Sequence, residues 1–184
     1  MKLTREDWSD AAYKALLRGG PRAVAVAILA EDLDATRGSF YHYFKDRDEL
    51  LVAALERWEQ KSTEIFIDRA SSESEPGARL RNLFSHVFQP PTDLAAVERR
   101  LLAERVDNAQ VAQVVDRVIA RRHAFLVECY LELGHNEIAA EDRAAVAYLV
   151  FTGWLHLDQS ADEESAASTK RLAALVQEML LPAA

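Results

Sequence analysis

The chain holds 184 residues, of which 49% are hydrophobic and 28% charged, and it carries a formal net charge of −8 at pH 7. Those proportions exclude disordered and fibrous classes, and the length suits one ordinary domain or a small module fused to a larger one. A single cysteine, Cys129, excludes an internal disulfide, and the lack of a basic-then-apolar leader or of an apolar run long enough to cross a bilayer predicts a soluble, cytoplasmic chain with no membrane partner.

Helical spacing recurs almost everywhere and no stretch alternates as a strand would, so the expected fold class is all-α. "LTREDWSDAAYKALLRGG" reads as a first helix with Thr4 and Asp7 in capping-box positions, Trp8, Ala12, Ala15 and Leu16 on one face, and a stop at Gly19-Gly20-Pro21. "VAVAILAEDLDATRGSFYHYF" divides at Leu33-Asp34-Ala35 into two short helices, the second capped by Thr36. Asp46 opens a longer helix in which Glu49 completes another capping box and Leu51, Leu55, Trp58, Ile65 and Phe66 form a stripe ending near Ala70.

The polar "SSESEPG" interrupts the pattern, and Pro76 suits the first turn of a helix that runs to about Phe88. Beyond "QPPTD" the spacing predicts helices from about Asp93 to Arg105 and from about Asn108 to Leu133, the second ended by Gly134. Cys129 lies in this second helix, within "FLVECYLEL", as an inert thiol among apolar neighbours. Two last helices are expected over about Glu141–Asp158 and Ala161–Leu181. The first of these is apolar nearly all round, so it must be covered on both sides. Closure of the chain's own core would do this; pairing with a second copy is the favoured solution for so small a chain, with Val146, Val150, Trp154, Leu172, Leu175, Val176 and Met179 as the candidate homodimer interface.

Charge is unevenly placed. Residues 1–50 hold 8 Lys+Arg against 9 Asp+Glu, while the remainder holds 14 against 21. Within the first part, Ala35 to Lys45 contains two basic residues and a histidine and no acid, a local positive window on an acidic body. The same window has the layout of a helix-turn-helix. Ala30 is small enough for close approach, and Leu29, Leu33, Phe40 and Phe44 can lock the two helices. Thr36, Arg37, Gly38, Ser39, Tyr41 and His42 are left for the outer face. Arg37 has the fork that pairs with guanine or grips phosphate, and Gly38 lets a duplex approach closely. Thr36, Ser39 and Tyr41 can donate to phosphate oxygens, and Lys45 sits beside the free N–H groups at the start of the next helix.

The segment "AVAVAILAEDLDATRGSFYHYFKDRDELL" resembles the N-terminal module of the TetR/AcrR family of transcriptional regulators, through Leu29-Ala30, Thr36, Gly38, Ser39, Phe40, Tyr41, His42-Tyr43, Phe44 and Arg47. The resemblance implies a three-helix helix-turn-helix module over residues 1–48 and, over residues 49–184, a C-terminal helical bundle for ligand binding and dimerisation. It implies a homodimeric repressor on a palindromic double-stranded DNA operator, released by a small ligand. Base-reading positions map onto Arg37, Gly38, Ser39 and His42, and phosphate-binding positions onto Thr36, Tyr41 and Lys45. Three departures stand out: Asp34 replaces the usual turn glycine, Val24 and Ala25 replace a hydroxyl residue that would meet phosphate, and Glu31 and Asp32 add negative charge. Weaker non-specific DNA affinity with a shallower salt slope is therefore expected.

Candidate ligand-lining residues are Trp58, Phe66, Phe84, Phe88, Phe125, Tyr130, Tyr148, Phe151 and Trp154, a set that suits a small hydrophobic compound, with ordinary core packing the favoured role for any one of them. His86, His123 and His156 lack metal-ligand spacing, so neither metal nor cofactor is expected, and Arg81, Arg99, Arg100, Arg121 and Arg122 read as solvated helix faces. No nucleophile elbow, phosphate loop or dinucleotide fingerprint is present, which argues against an enzyme. The alternative is a ligand- or partner-binding module of the same fold that has lost specific DNA binding.

Overall fold

The computed structural model describes residues 3–88, 92–156 and 163–181. Helices account for the regular structure among these residues, as expected of an all-α chain: α1 (Arg5–Gly19), α2 (Val26–Asp32), α3 (Arg37–Phe40), α4 (Arg47–Glu59), α5 (Ile65–Ser71), α6 (Pro76–Val87), α7 (Thr92–Glu104), α8 (Ala109–Glu132), α9 (Glu137–Leu155) and α10 (Glu163–Leu180). A 3-10 turn over Pro21–Ala23 precedes α2, and a π turn over Gln60–Glu64 joins α4 to α5.

The helix starts follow from side-chain caps. Thr4 and Asp7 exchange both bonds of a capping box. Thr36 accepts the Ser39 N–H, and Glu75 accepts those of Gly77 and Ala78 ahead of Pro76. At α4 the expected box is only half formed. Asp46 accepts the Glu49 N–H at 2.9 Å, but the Glu49 carboxylate turns away to the Lys45 N–H and to Arg5. α9 starts at Glu137 rather than near Glu141, because Asn136 accepts the Ala139 N–H and so begins the helix one turn earlier. Its expected end at Asp158, and the expected start of the last helix at Ala161, fall outside the described residues.

The chain forms two compact units, one of Met1–Ser62 with Asp93–Val118 and the other of Thr63–Thr92 with Ile119–Ala184. This division falls elsewhere than the 48/49 boundary expected from the motif. In the first unit α1 lies on α4, burying Trp8, Ala12, Ala15 and Leu16 against a face of Leu50, Leu51, Ala54, Leu55 and Trp58. Val97, Leu101, Val111, Val114 and Val115 extend this core from α7 and the start of α8. Polar links accompany them. Arg100 donates to the carbonyls of Leu17 and Arg18 at the end of α1, Gln110 donates to Asp48 at 3.2 Å, and Arg117 forms a two-bond pair with Glu59. Arg100 is therefore exposed yet engaged, not a merely solvated face.

In the second unit α5 lies on α6, and α10 meets both α6 and α9. The stripe expected to continue through Ile65 and Phe66 is displaced. The π turn adds a residue to the helical repeat, so Ser62, Thr63, Ile67 and Ala70 are buried while Ile65 is 42% exposed; the Phe66 side chain lies outside the described set. Cys129 is fully buried, and burial pushes its thiol up to about 11, in keeping with an inert group. No helix among the described residues is long and apolar enough to cross a membrane.

Candidate nucleic-acid interface

Two short helices and one tight turn build the surface. α2 ends at Leu33, Asp34 takes a left-handed conformation with φ +49°, and the Ala35 N–H returns to the Ala30 carbonyl at 2.8 Å. Asp34 is the position where a glycine is usual, and aspartate is one of the few other residues that enter this region at modest cost. The turn directs the chain into Thr36, whose hydroxyl accepts the Ser39 N–H at 3.1 Å and starts α3.

The inner face of α3 is aromatic. Phe40 and Phe44, both buried, stack with ring centres 5.7 Å apart, and Trp8 of α1 meets Phe40 edge-on at 5.4 Å. Leu29 and Ala30 are buried beneath, while Leu33 is only half-buried. With these residues turned inward, Thr36, Arg37, Gly38, Tyr41, His42 and Lys45 are all exposed, Tyr41 to 66%. Ser39 is half-buried and its hydroxyl donates to the Thr36 carbonyl, so it braces the helix start as well as lying near the outer face.

Gly38 has no internal reason to be glycine. It lacks a left-handed φ, and a Cβ built on it would meet only the Thr36 hydroxyl at an ordinary 3.7 Å. Helix propensity disfavours it by about 1 kcal/mol relative to alanine. The surroundings thus leave open space where a side chain could stand.

The electrostatics are mixed. Arg37, His42 and Lys45 stand out on the surface, but Glu31, Asp32, Asp34, Asp46 and Asp48 are exposed in the same module. The start of α4 beside Lys45 is already capped by Asp46 and carries Asp48 and Glu49 in its first turn, so it is a poorer anion site than its sequence promised. At α2, Ala25 occupies the cap position in an extended conformation and makes no side-chain cap bond, the structural counterpart of the missing hydroxyl. Arg47, part of the sequence motif, points inward and donates to the carbonyls of Val24 and Pro21 at 2.8 and 2.6 Å, tying α4 to the loop before α2.

The other candidate residues divide between the units. Trp58 is buried in the first unit, while the other candidates with described side chains belong to the second. In the second unit Phe84, Phe88, Trp154, Phe151 and Tyr148 form a chain of rings with successive centres 6.2, 5.7, 6.2 and 6.2 Å apart. Phe125 and Tyr130 are buried in that unit too, and burial raises the Tyr130 phenol to about 12. A groove of about 470 Å³ lies in the first unit between α1 and α4, but it is lined by Arg5, Glu6, Ser9, Ala53, Glu56, Arg57 and Gln60, a charged set unlike a hydrophobic ligand site. Among the described residues no cluster of His, Cys, Asp or Glu could hold a metal ion.

Of the candidate interface residues, Val146, Leu175 and Met179 are exposed to 45, 51 and 68%. Val150 and Leu172 are half-buried, and Trp154 and Val176 are buried within their own unit. Leu149, 68% exposed, was not singled out by spacing, because α9 is apolar on nearly every side and no stripe distinguishes its outer face.

A first unit that presents a helix-turn-helix with an aromatic inner face and a polar outer one has the architecture of a DNA-binding module. Residues 9–54 match the family model described as bacterial regulatory proteins, tetR family. No curated protein matches the sequence. The fold is shared with solved structures over nearly the whole length. A transcriptional regulator from Rhodococcus sp. Rha1 is 17% identical, with 97% of this chain and 94% of that one covered and a TM-score of 0.75. A TetR transcription regulator from Haloarcula marismortui is 18% identical, with 97% and 98% covered and a TM-score of 0.75. A transcriptional regulator from Saccharomonospora viridis, solved in complex with choline, is 14% identical, with 97% and 98% covered and a TM-score of 0.75.

Proposed function

We propose that the protein is a homodimeric, sequence-specific repressor that binds a palindromic operator and is released by a small hydrophobic ligand. The observation that carries the DNA reading is Gly38: an exposed helical glycine, free of internal crowding, set between Arg37 and the Tyr41–His42 pair on one outward face. A duplex lying against that face accounts for the missing side chain, and Arg37 and His42 then reach base edges while Thr36, Tyr41 and Lys45 meet phosphates. Dimerisation is supported by the exposed apolar side chains Val146, Leu149, Leu175 and Met179 on α9 and α10, two helices that pack on each other. Ligand binding is supported by the concentration of aromatic rings in the second unit, and by the choline complex of a regulator with the same fold.

The test is selection of bound duplexes from a random library by the purified protein near physiological salt, followed by two substitutions. Arg37→Ala is expected to relax sequence preference at one position of each half-site. Lys45→Ala is expected to weaken all sequences alike and to lower the salt slope by about one. Equal, sequence-blind losses from both would reduce the function to generic polyanion binding, and failure to enrich any inverted repeat would favour a module that has lost specific DNA binding.

A further inference from the structure

The segment that leaves the recognition helix α3 is held by a pair of side chains outside the proposed reading set. Arg5, the first residue of α1, donates through one terminal nitrogen to the Tyr43 carbonyl and through the other to Glu49 Oε1 at 2.8 Å. Its guanidinium carbon lies 4.1 Å from the centre of the Phe44 ring. The second oxygen of Glu49 accepts the Lys45 N–H at 2.7 Å, and the Tyr43 hydroxyl donates to the Leu3 carbonyl just ahead of α1. One guanidinium and one carboxylate thus hold the backbone on both sides of Phe44, the residue whose ring stacks on Phe40 of the recognition helix.

These contacts are not demanded by burial. The Arg5 and Glu49 side chains are 52% and 39% exposed, so neither fills the core, and an exposed ion pair alone contributes little stability. Their geometry is more demanding than their burial. A planar fork is needed to reach a carbonyl and a carboxylate while lying over a ring, which a lysine ammonium cannot reproduce. The Lys45 N–H and Arg5, in that order, hold the Glu49 carboxyl below its usual range, so the pair is ionised at neutral pH.

We propose that Arg5 and Glu49 are the positioning pair of the DNA-reading element, fixing the backbone at Tyr43 and Lys45 so that Tyr41, His42 and Lys45 meet the duplex in one register. The inference rests on the DNA-binding function proposed above. It makes a prediction whose sign separates it from plain electrostatics. Removing a carboxylate from a module that approaches phosphates should by charge alone strengthen DNA binding, and removing an arginine should weaken it. A positioning role requires both losses to act in the same direction.

The experiment uses the full chain, the duplex enriched by the parent protein and a scrambled duplex of equal length, with thermal melting recorded for every variant. Arg5→Ala and Glu49→Ala are each expected to lower the ratio of selected to scrambled affinity by about 10-fold, with the double variant losing little more than either single one. Arg5→Lys is expected to recover only a small part of the loss. Glu49→Gln, which keeps an acceptor for the Lys45 N–H and the shape of the side chain, carries the same test if Glu49→Ala fails to fold, with a smaller loss of the same sign. Selected-duplex binding that is unchanged or tighter in the glutamate variants, in folded protein, overturns the positioning role while leaving the DNA-binding function intact. A parent protein that enriches no duplex defeats that function, and the positioning role with it.

Discussion

Gly38 and Cys129 mark opposite ends of what a single residue can report. Cys129 is fully buried and burial pushes its thiol up to about 11, so its chemistry is suppressed and its presence is explained by packing. Gly38 is exposed in a helix that alanine would favour, with only one ordinary contact awaiting a Cβ. Gly38→Ala is therefore expected to stabilise the fold by up to about 1 kcal/mol, seen as a higher melting temperature, while lowering affinity for the selected duplex about 10-fold or more. A variant that is more stable and binds equally well would show that the space above Gly38 is unused. Residue types and order alone were enough to single out the exposed set from Thr36 to Lys45. The Arg5–Glu49 pair was not legible, because its members lie 44 residues apart and Glu49 already had a local role in the expected capping box with Asp46.

At the scale of the element, caps were legible and register was not. Thr4, Thr36 and Pro76 start or enter their helices where local chemistry places them. The apolar run that follows masks Asn136 as a start signal, so α9 begins one turn earlier than periodicity predicts. The π turn over Gln60–Glu64 has no comparable sequence signal; it rotates the buried face of the following turn by an amount that only packing decides. The uncapped α2 offers a direct test of the local reasoning. Ala25→Ser is expected to add a cap bond at a position already in extended conformation, raising stability by about 1 kcal/mol in denaturant titrations. The same hydroxyl is expected to add a phosphate contact and so tighten binding to scrambled duplex as well as selected duplex. Stabilisation without any gain in DNA affinity would place the start of α2 away from the backbone of the bound duplex.

For the whole molecule, the all-α class and the order of helices were readable because periodicity is local, whereas the division into units depends on contacts between distant stretches. The proposed dimer belongs to this scale. Leu149 and Met179, each 68% exposed, are apolar side chains of α9 and α10 that a second copy would remove from water. Leu149→Glu combined with Met179→Glu is expected to shift the protein from dimer to monomer in sedimentation velocity without lowering its helix content, and to abolish high-affinity binding to a two-half-site duplex. A variant that stays dimeric would move the interface off this face.

The first unit is not a stretch of chain that ends where the motif ends. Its core is completed by residues 93–118, which return after a thirty-residue excursion to close over the ends of α1 and α4 through Arg100, Gln110 and Arg117. In evolutionary and engineering terms, the proposed DNA-reading head is not a detachable bead. A chimaera made by joining residues 1–62 to a foreign sensor would leave Val97, Leu101, Val111 and Val114 behind, and with them the apolar cover of the head. Exchange of specificities between such regulators must either carry the α7–α8 corner along or find a recipient whose own corner presents the same apolar and polar partners.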